Sequence, residues 1–249
     1  MNTEDLEAFQ ARIGYRFRKP ALLRQALTHK TANRRENYES MEYLGDAFML
    51  AAIREWLTRY VPKVPVRLKV EGAAKSNEML GLIVRRLGIP DLLAMSKEEA
   101  CGDLYKQSKK YADAYEALIT AIYHDGGYEA ARNFVWRTMP LQKLADGDWE
   151  RIPRNPRWKD ATKDLVKLLE ELELGEPVYT HVHNVGKYQV WQVDTGVGIA
   201  WGRGQLGLEN DLGAEHAKGN AASKLLRKLL IDQLEDIFDE PTTPSEPTA

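Results

Sequence analysis

The hydrophobic pattern of this chain changes period once, and that change limits what the chain can fold into. From about Thr3 to Leu144, apolar residues recur at helical spacing: Phe9, Ile13 and Phe17; Leu22, Leu23, Ala26 and Leu27; Met41, Leu44, Ala47, Phe48, Ala51 and Ala52. Pro20, Pro62, Pro65, the Gly88-Ile89-Pro90 turn and Gly126-Gly127 punctuate the pattern. No alternating strand pattern interrupts it, so an all-α domain is expected over 1–145. A polar, proline-bearing connector follows at 146–157. Beyond it, 160–173 reads as an amphipathic helix, and 178–185, 188–195 and 197–204, rich in Val, Tyr and Trp, read as strands. A last helix is expected over 214–237. The second domain, 158–238, is thus a small α+β unit of order α-β-β-β-α, trailed by a disordered acidic tail at 239–249.

Composition narrows the class. No stretch approaches the roughly 20 apolar residues of a membrane helix, and the acidic opening Asn2-Thr3-Glu4-Asp5 is not that of a secretory signal. One cysteine, Cys101, leaves no internal disulfide and no zinc-finger spacing. An intracellular protein without membrane contact is expected, in the cytoplasm first, with an organelle or the nucleus as alternatives. The formal net charge of −2 over 249 residues does not suit a simple basic nucleic-acid binder, but it is unevenly spread. Residues 155–238 carry ten basic against thirteen acidic side chains, and 1–154 are net +4. Any anionic ligand is therefore expected on the N-terminal domain.

Two short segments carry the chemistry. In Glu39-Ser40-Met41-Glu42-Tyr43-Leu44-Gly45-Asp46, the three acids fall at i, i+3 and i+7 of a helix and share a face. In Asp113-Ala114-Tyr115-Glu116, two more acids stand at i and i+3. For one pair alone, the ordinary reading is a solvated helix face with an ion pair. Two pairs, each set in Leu-, Ala- and Tyr-rich sequence, weigh against that reading. Like charges at these spacings repel, and half-buried carboxylates without partners are costly, so something positive is expected between them. Carboxylate oxygens are the ligands Mg2+ prefers, and Mn2+ is the expected substitute.

These segments resemble the ribonuclease III family. Met41-Glu42-Tyr43-Leu44-Gly45-Asp46-Ala47, with Glu39 ahead of it, is similar to the E-R-L-E-F-L-G-D signature. Leu22-Leu23-Arg24-Gln25-Ala26-Leu27-Thr28-His29 resembles L-L-x-Q-A-L-T-H, and Ala112 to Ile119 resembles A-D-x-x-E-A-L-I. The resemblance covers 5–140 and implies a homodimeric endonuclease that hydrolyses both strands of double-stranded RNA. Its products would carry 5′-phosphate and 3′-hydroxyl ends with short 3′ overhangs. It also implies that Glu42, Asp46, Asp113 and Glu116 are the metal-binding and catalytic acids and that Glu39 positions RNA. Tyr43, standing where the family has Phe, would plug into the partner subunit. Lys109, one turn before Asp113, is assigned to these acids or to an RNA phosphate, with a solvated lysine as the ordinary alternative. The rival reading is a nuclease-inactive relative serving as a structural or ribosome-associated RNA-binding protein; the four filled acid positions argue against it.

Three departures from the family pattern stand out. The turn after the signature helix is shortened to Pro62-Lys63-Val64-Pro65-Val66-Arg67, and Tyr38 replaces the usual Asn. The α-β-β-β-α part resembles a double-stranded RNA-binding domain, a module that reads duplex shape. Its first inter-strand loop is cut to Gly186-Lys187, and only Lys218 remains of the basic cluster that opens the last helix. With a net −3, that domain is expected to bind duplex weakly through Lys218 or to have turned towards protein contacts.

Overall fold

The computed structural model describes residues 3–96, 104–151, 158–206, 212–232 and 234–238. Cys101, connector residues 152–157 and the expected tail at 239–249 lie outside them. The chain forms two compact units, one of Met1–Glu150 together with the residues from Asp236 on, the other Arg151–Glu235.

The described residues of the first unit are helical: α1 (Thr3–Ile13), α2 (Pro20–Ala26), α3 (Glu39–Tyr60), α4 (Val64–Ala74), α5 (Asn77–Leu87), α6 (Ile89–Leu92), α7 (Leu104–Gly126), α8 (Tyr128–Thr138) and α9 (Leu141–Asp146). Extended pairing there is limited to one bridge, Thr28 with Ala94. Helix α7 is the axle. Ala112, Ala114, Tyr115, Ala117, Leu118, Ile119, Ala121 and Ile122 are all buried, as befits a helix packed on nearly every side. Helix α3 turns Met41, Gly45, Met49, Ala52, Ile53, Trp56 and Leu57 inward. Its start is fixed by Asn37, whose Oδ1 accepts the Glu39 N–H at 3.0 Å. Glu39 and Glu42 then fall in the first turn, where the helix dipole favours anions. At the other end of α7, the buried Asp125 carboxylate accepts from the Tyr15 hydroxyl (2.8 Å) and the backbone N–H groups of Arg18 and Lys19 (2.9 Å each), tying the 14–19 turn to the axle.

The second unit is α10 (Trp158–Glu171), β1 (Val178–Val185), β2 (Tyr188–Asp194), β3 (Ile199–Gln205) and α11 (Leu212–Asp232). The sheet is antiparallel in the order β1-β2-β3. Gly186 (φ +57°) and Lys187 make the two-residue turn between the paired Val185 and Tyr188. The core joins Ala161, Leu165, Leu168 and Leu169 to Val193, Ala200, Ala221, Leu225 and Leu229. Helix α11 can lie close on β3 because Gly202 and Gly204 have no side chain; a Cβ there would meet the backbone oxygens of Ala217 and Gly213.

Several boundaries of the second unit differ from the sequence expectation by one to five residues, and two of the shifts have a local cause. Strand β3 begins at Ile199, not Val197, because the Asp194 side chain accepts the Gly196 N–H at 2.8 Å and Thr195 bonds Gly198, spending 195–198 on the turn. The last helix stops at Asp232, short of Ile237. Asp232, Glu235 and Asp236 stand where the helix dipole favours cations, which works against extension. Ile237 and Phe238 instead lie buried in a short 3-10 turn, Glu235–Phe238, with the Arg86 guanidinium 5.0 Å from the Phe238 ring.

Candidate active site

Two contacts set the distance between the acid-bearing helices. An ideal Cβ on Gly45 would fall 1.9 Å from the Glu116 carbonyl oxygen and 2.4 Å from its carbon, so only glycine lets α3 cross α7 this closely. Next to it, the buried Thr120 hydroxyl donates to the Met41 carbonyl at 2.7 Å. The crossing lies between Glu42 and Asp46 on one helix and against Glu116 on the other.

As a result, Glu42, Asp113 and Glu116 each offer a carboxylate oxygen within 4.8 Å of the other two. All three are partly buried. Asp46, one turn beyond Glu42, is exposed and stands outside this three-oxygen group. Its charge still reaches the cluster. The Glu116 carboxyl is pushed up to about 8, first by burial and then by the negative charges of Asp46, Asp113 and Glu42. Burial, followed by Asp113, also raises Glu42, and burial raises Asp113, in both cases against the opposing pull of Lys109. Among the described residues no cation pairs with Glu116. The cluster is thus underneutralised, and its hard oxygen donors at this spacing suit a small divalent cation.

The other residues singled out from sequence have definite places. The Lys109 ammonium lies 3.0 and 3.1 Å from the two Asp113 oxygens and 3.7 Å from Glu42. Glu39 pairs with Lys30 at 2.6 Å. Tyr43 projects into solvent, 89% exposed. In the second unit, Lys218 lies 3.4 Å from Glu215 and 4.5 Å from the Trp191 ring centroid. Tyr38, in the position usual for Asn, is buried against His29 (ring centroids 5.6 Å apart) and is held protonated by burial and the nearby acids. His29 is itself buried and pushed towards neutrality, by burial and then by Lys110 and Lys30.

Sequence reasoning missed Thr120 and gave Gly45 no role of its own. Thr120 reads as one more member of the apolar run Leu118-Ile119-Thr120-Ala121-Ile122. Its one available signal is that a hydroxyl inside such a run needs a partner.

Residues 19–142 match the family described as Ribonuclease-III-like. Among curated relatives, Ribonuclease 3 of Ralstonia pickettii is 30% identical over 232 residues, 92% of this chain and 85% of its own length. Ribonuclease 3 of Ralstonia nicotianae is 32% identical over 193 residues, 76% of this chain and 73% of its own. A solved structure of the nuclease domain of ribonuclease III from Campylobacter jejuni matches at TM-score 0.49 and 25% identity, covering 62% of this chain and 99% of that one.

Proposed function

The chain belongs to the ribonuclease III family, and on that premise we propose that it is a Mg2+-dependent endoribonuclease cutting both strands of double-stranded RNA as a homodimer. The observation that carries this reading is the meeting of Glu42, Asp113 and Glu116 oxygens within 4.8 Å across a glycine crossing. Carboxylates crowded this way, with Glu116 raised to about 8, are costly to ionise together until a cation joins them.

Glu42, Asp113 and Glu116 would hold the metal, with Asp46 at the exposed rim. Bound Mg2+ supplies Lewis-acid activation of water and neutralises charge on the phosphoryl oxygens. The protein contributes position. Helix α7 fixes Asp113 and Glu116 on a buried axle, the Thr120–Met41 bond fixes Glu42 against them, and Asp46 stays free to meet water or substrate. Hydrolysis joins a water oxygen to phosphorus, breaks the bond to the 3′ oxygen and hands that oxygen a proton. The ends are a 5′-phosphate and a 3′-hydroxyl, with short 3′ overhangs when two subunits cut across one duplex. Tyr43, apolar in body and 89% exposed, is suited to burial in a partner subunit. The N-terminal residues, net +4, suit the RNA backbone better than the acidic second unit, which is left a weak duplex contact or a protein contact.

Cleavage of long duplex RNA with Mg2+ and with EDTA, wild type against Glu116→Gln, tests the reading. Chelation and substitution should each abolish cutting while light scattering still reports a dimer. Robust cutting in EDTA would overturn it.

A further inference from the structure

Among the described residues, Lys109 reaches into the acidic cluster. Its ammonium lies 3.0 and 3.1 Å from both oxygens of Asp113 and 3.7 Å from Glu42, two of the three carboxylates grouped within 4.8 Å. The neighbouring Lys30 is engaged by Glu39 at 2.6 Å. The Lys109 side chain is 73% exposed, so its stem leads out to water. It stands one helical turn before Asp113, the spacing at which a lysine reaches a carboxylate on its own helix.

We infer that Lys109 is an intramolecular counter-ion that a divalent cation must displace before it can occupy the Glu42–Asp113–Glu116 cluster. The inference rests on the metal-site reading above and adds to it what must move before a metal can bind. Both Asp113 oxygens already accept from one ammonium, which takes two of the carboxylate's roughly four lone-pair sites and fills the space beside them that a metal and its waters would need. Two cations on the same oxygens would also repel at short range. In the metal-free protein Lys109 offsets part of the repulsion between Glu42 and Asp113 across the α3–α7 crossing. On metal loading its long, exposed stem lets it swing to solvent without disturbing the helices. Part of the intrinsic metal affinity is therefore spent on breaking this pair, so the cation concentration needed for loading is set higher than the three carboxylates alone would set it.

The test is Mn2+ binding to the full-length protein, without RNA, followed by calorimetry and by paramagnetic broadening, for wild type, Lys109→Met, Lys109→Arg and Asp113→Asn. Methionine keeps the apolar stem and removes the charge. Lys109→Met should bind Mn2+ about tenfold more tightly, equivalent to ~1.4 kcal/mol. Lys109→Arg should stay within about threefold of wild type, because the displaced charge is retained. Without metal, Lys109→Met should melt below wild type, and saturating Mn2+ should close the gap. Unchanged or weaker Mn2+ binding by Lys109→Met overturns the counter-ion role. Wild-type affinity in Asp113→Asn instead strikes at the metal-site reading itself, so the two failures are distinguishable.

Discussion

Replacing Gly45 with alanine drives a methyl group into the Glu116 backbone, and the sign of the effect is diagnostic. In an open helix the change would stabilise by about 1 kcal/mol, since alanine is the better helix former. Here the new Cβ would lie 1.9 Å from the Glu116 oxygen, and reaching the 3.4 Å of ordinary contact means opening the crossing by roughly 1.5 Å. Overpacking of this kind costs about 1–3 kcal/mol. The same opening would break the Thr120–Met41 hydrogen bond, now 2.7 Å, leaving buried polar groups unpaired. That loss adds about 1–3 kcal/mol. Against the propensity gain, a net loss of about 1–5 kcal/mol remains, or a fall in melting temperature on the order of 3–15 °C. The site suffers more. The Glu42, Asp113 and Glu116 carboxylate oxygens now lie within 4.8 Å of one another, and opening the crossing would draw the Glu116 oxygen away from Glu42, beyond the roughly 4.2 Å that two oxygens on one Mg2+ can span. Cleavage should fall on the order of 100-fold, the usual penalty for misplacement by an ångström or more. Gly72→Ala is the control: its Cβ would meet nothing within 4 Å, so that variant should melt at or slightly above wild type. Calorimetric melting and Mn2+ titration of both variants decide the matter. A Gly45→Ala protein as stable and as metal-competent as Gly72→Ala would refute the close-crossing argument.

Acidity and salt supply two further predictions. Glu116 is raised from 4.5 to about 8, so between those values the folded, metal-free chain holds a proton that the unfolded chain has lost, and stability falls as pH rises through that window. Metal-free protein should melt lower at pH 8.5 than at pH 6, Glu116→Gln should flatten the slope, and metal binding below pH 8 should release protons into the buffer; a melting temperature that climbs with pH over this interval contradicts it. Asp125 shifts the other way: burial raises it, but the Arg18 and Lys19 N–H groups and the Tyr15 hydroxyl outweigh burial, and its contribution is lost only on stronger acidification. In the second unit Lys218 is already paired with Glu215 and stacked on Trp191. Lys218→Ala in the full chain should therefore leave the salt dependence of duplex binding nearly unchanged, whereas a drop of about one in the log–log slope would mark Lys218 as a phosphate contact.

What the sequence made legible follows from the range of each interaction. The i, i+3 and i+4 relations are local, so the shared face of Glu39, Glu42 and Asp46, the Asp113–Glu116 pair and the reach of Lys109 to Asp113 were all readable from spacing. That Asp113 and Glu116 face Glu42 depends on which side of α7 meets α3, and no spacing within either segment specifies it. The structure resolves this through two residues whose meaning is relational. Gly45 matters because the Glu116 carbonyl approaches it, and Thr120 because Met41 on the other helix offers an oxygen. Asp46 illustrates the limit from the other side: it shares a helix face with Glu42, yet one turn carries it about 5.4–6 Å along the axis, past the crossing and into solvent. The C-terminus shows the same limit for fold. Leu230, Leu234 and Ile237 keep helical spacing, so the pattern predicts one continuous helix. Periodicity reports which residues need burial but not which partner buries them, and Ile237 and Phe238 find theirs in the first unit, beside Arg86. A catalytic centre is the extreme of this rule. Its like-charged groups repel, so no local preference brings them together, and only packing decided elsewhere, here a glycine crossing and one buried hydroxyl, holds them at the distance a cation needs.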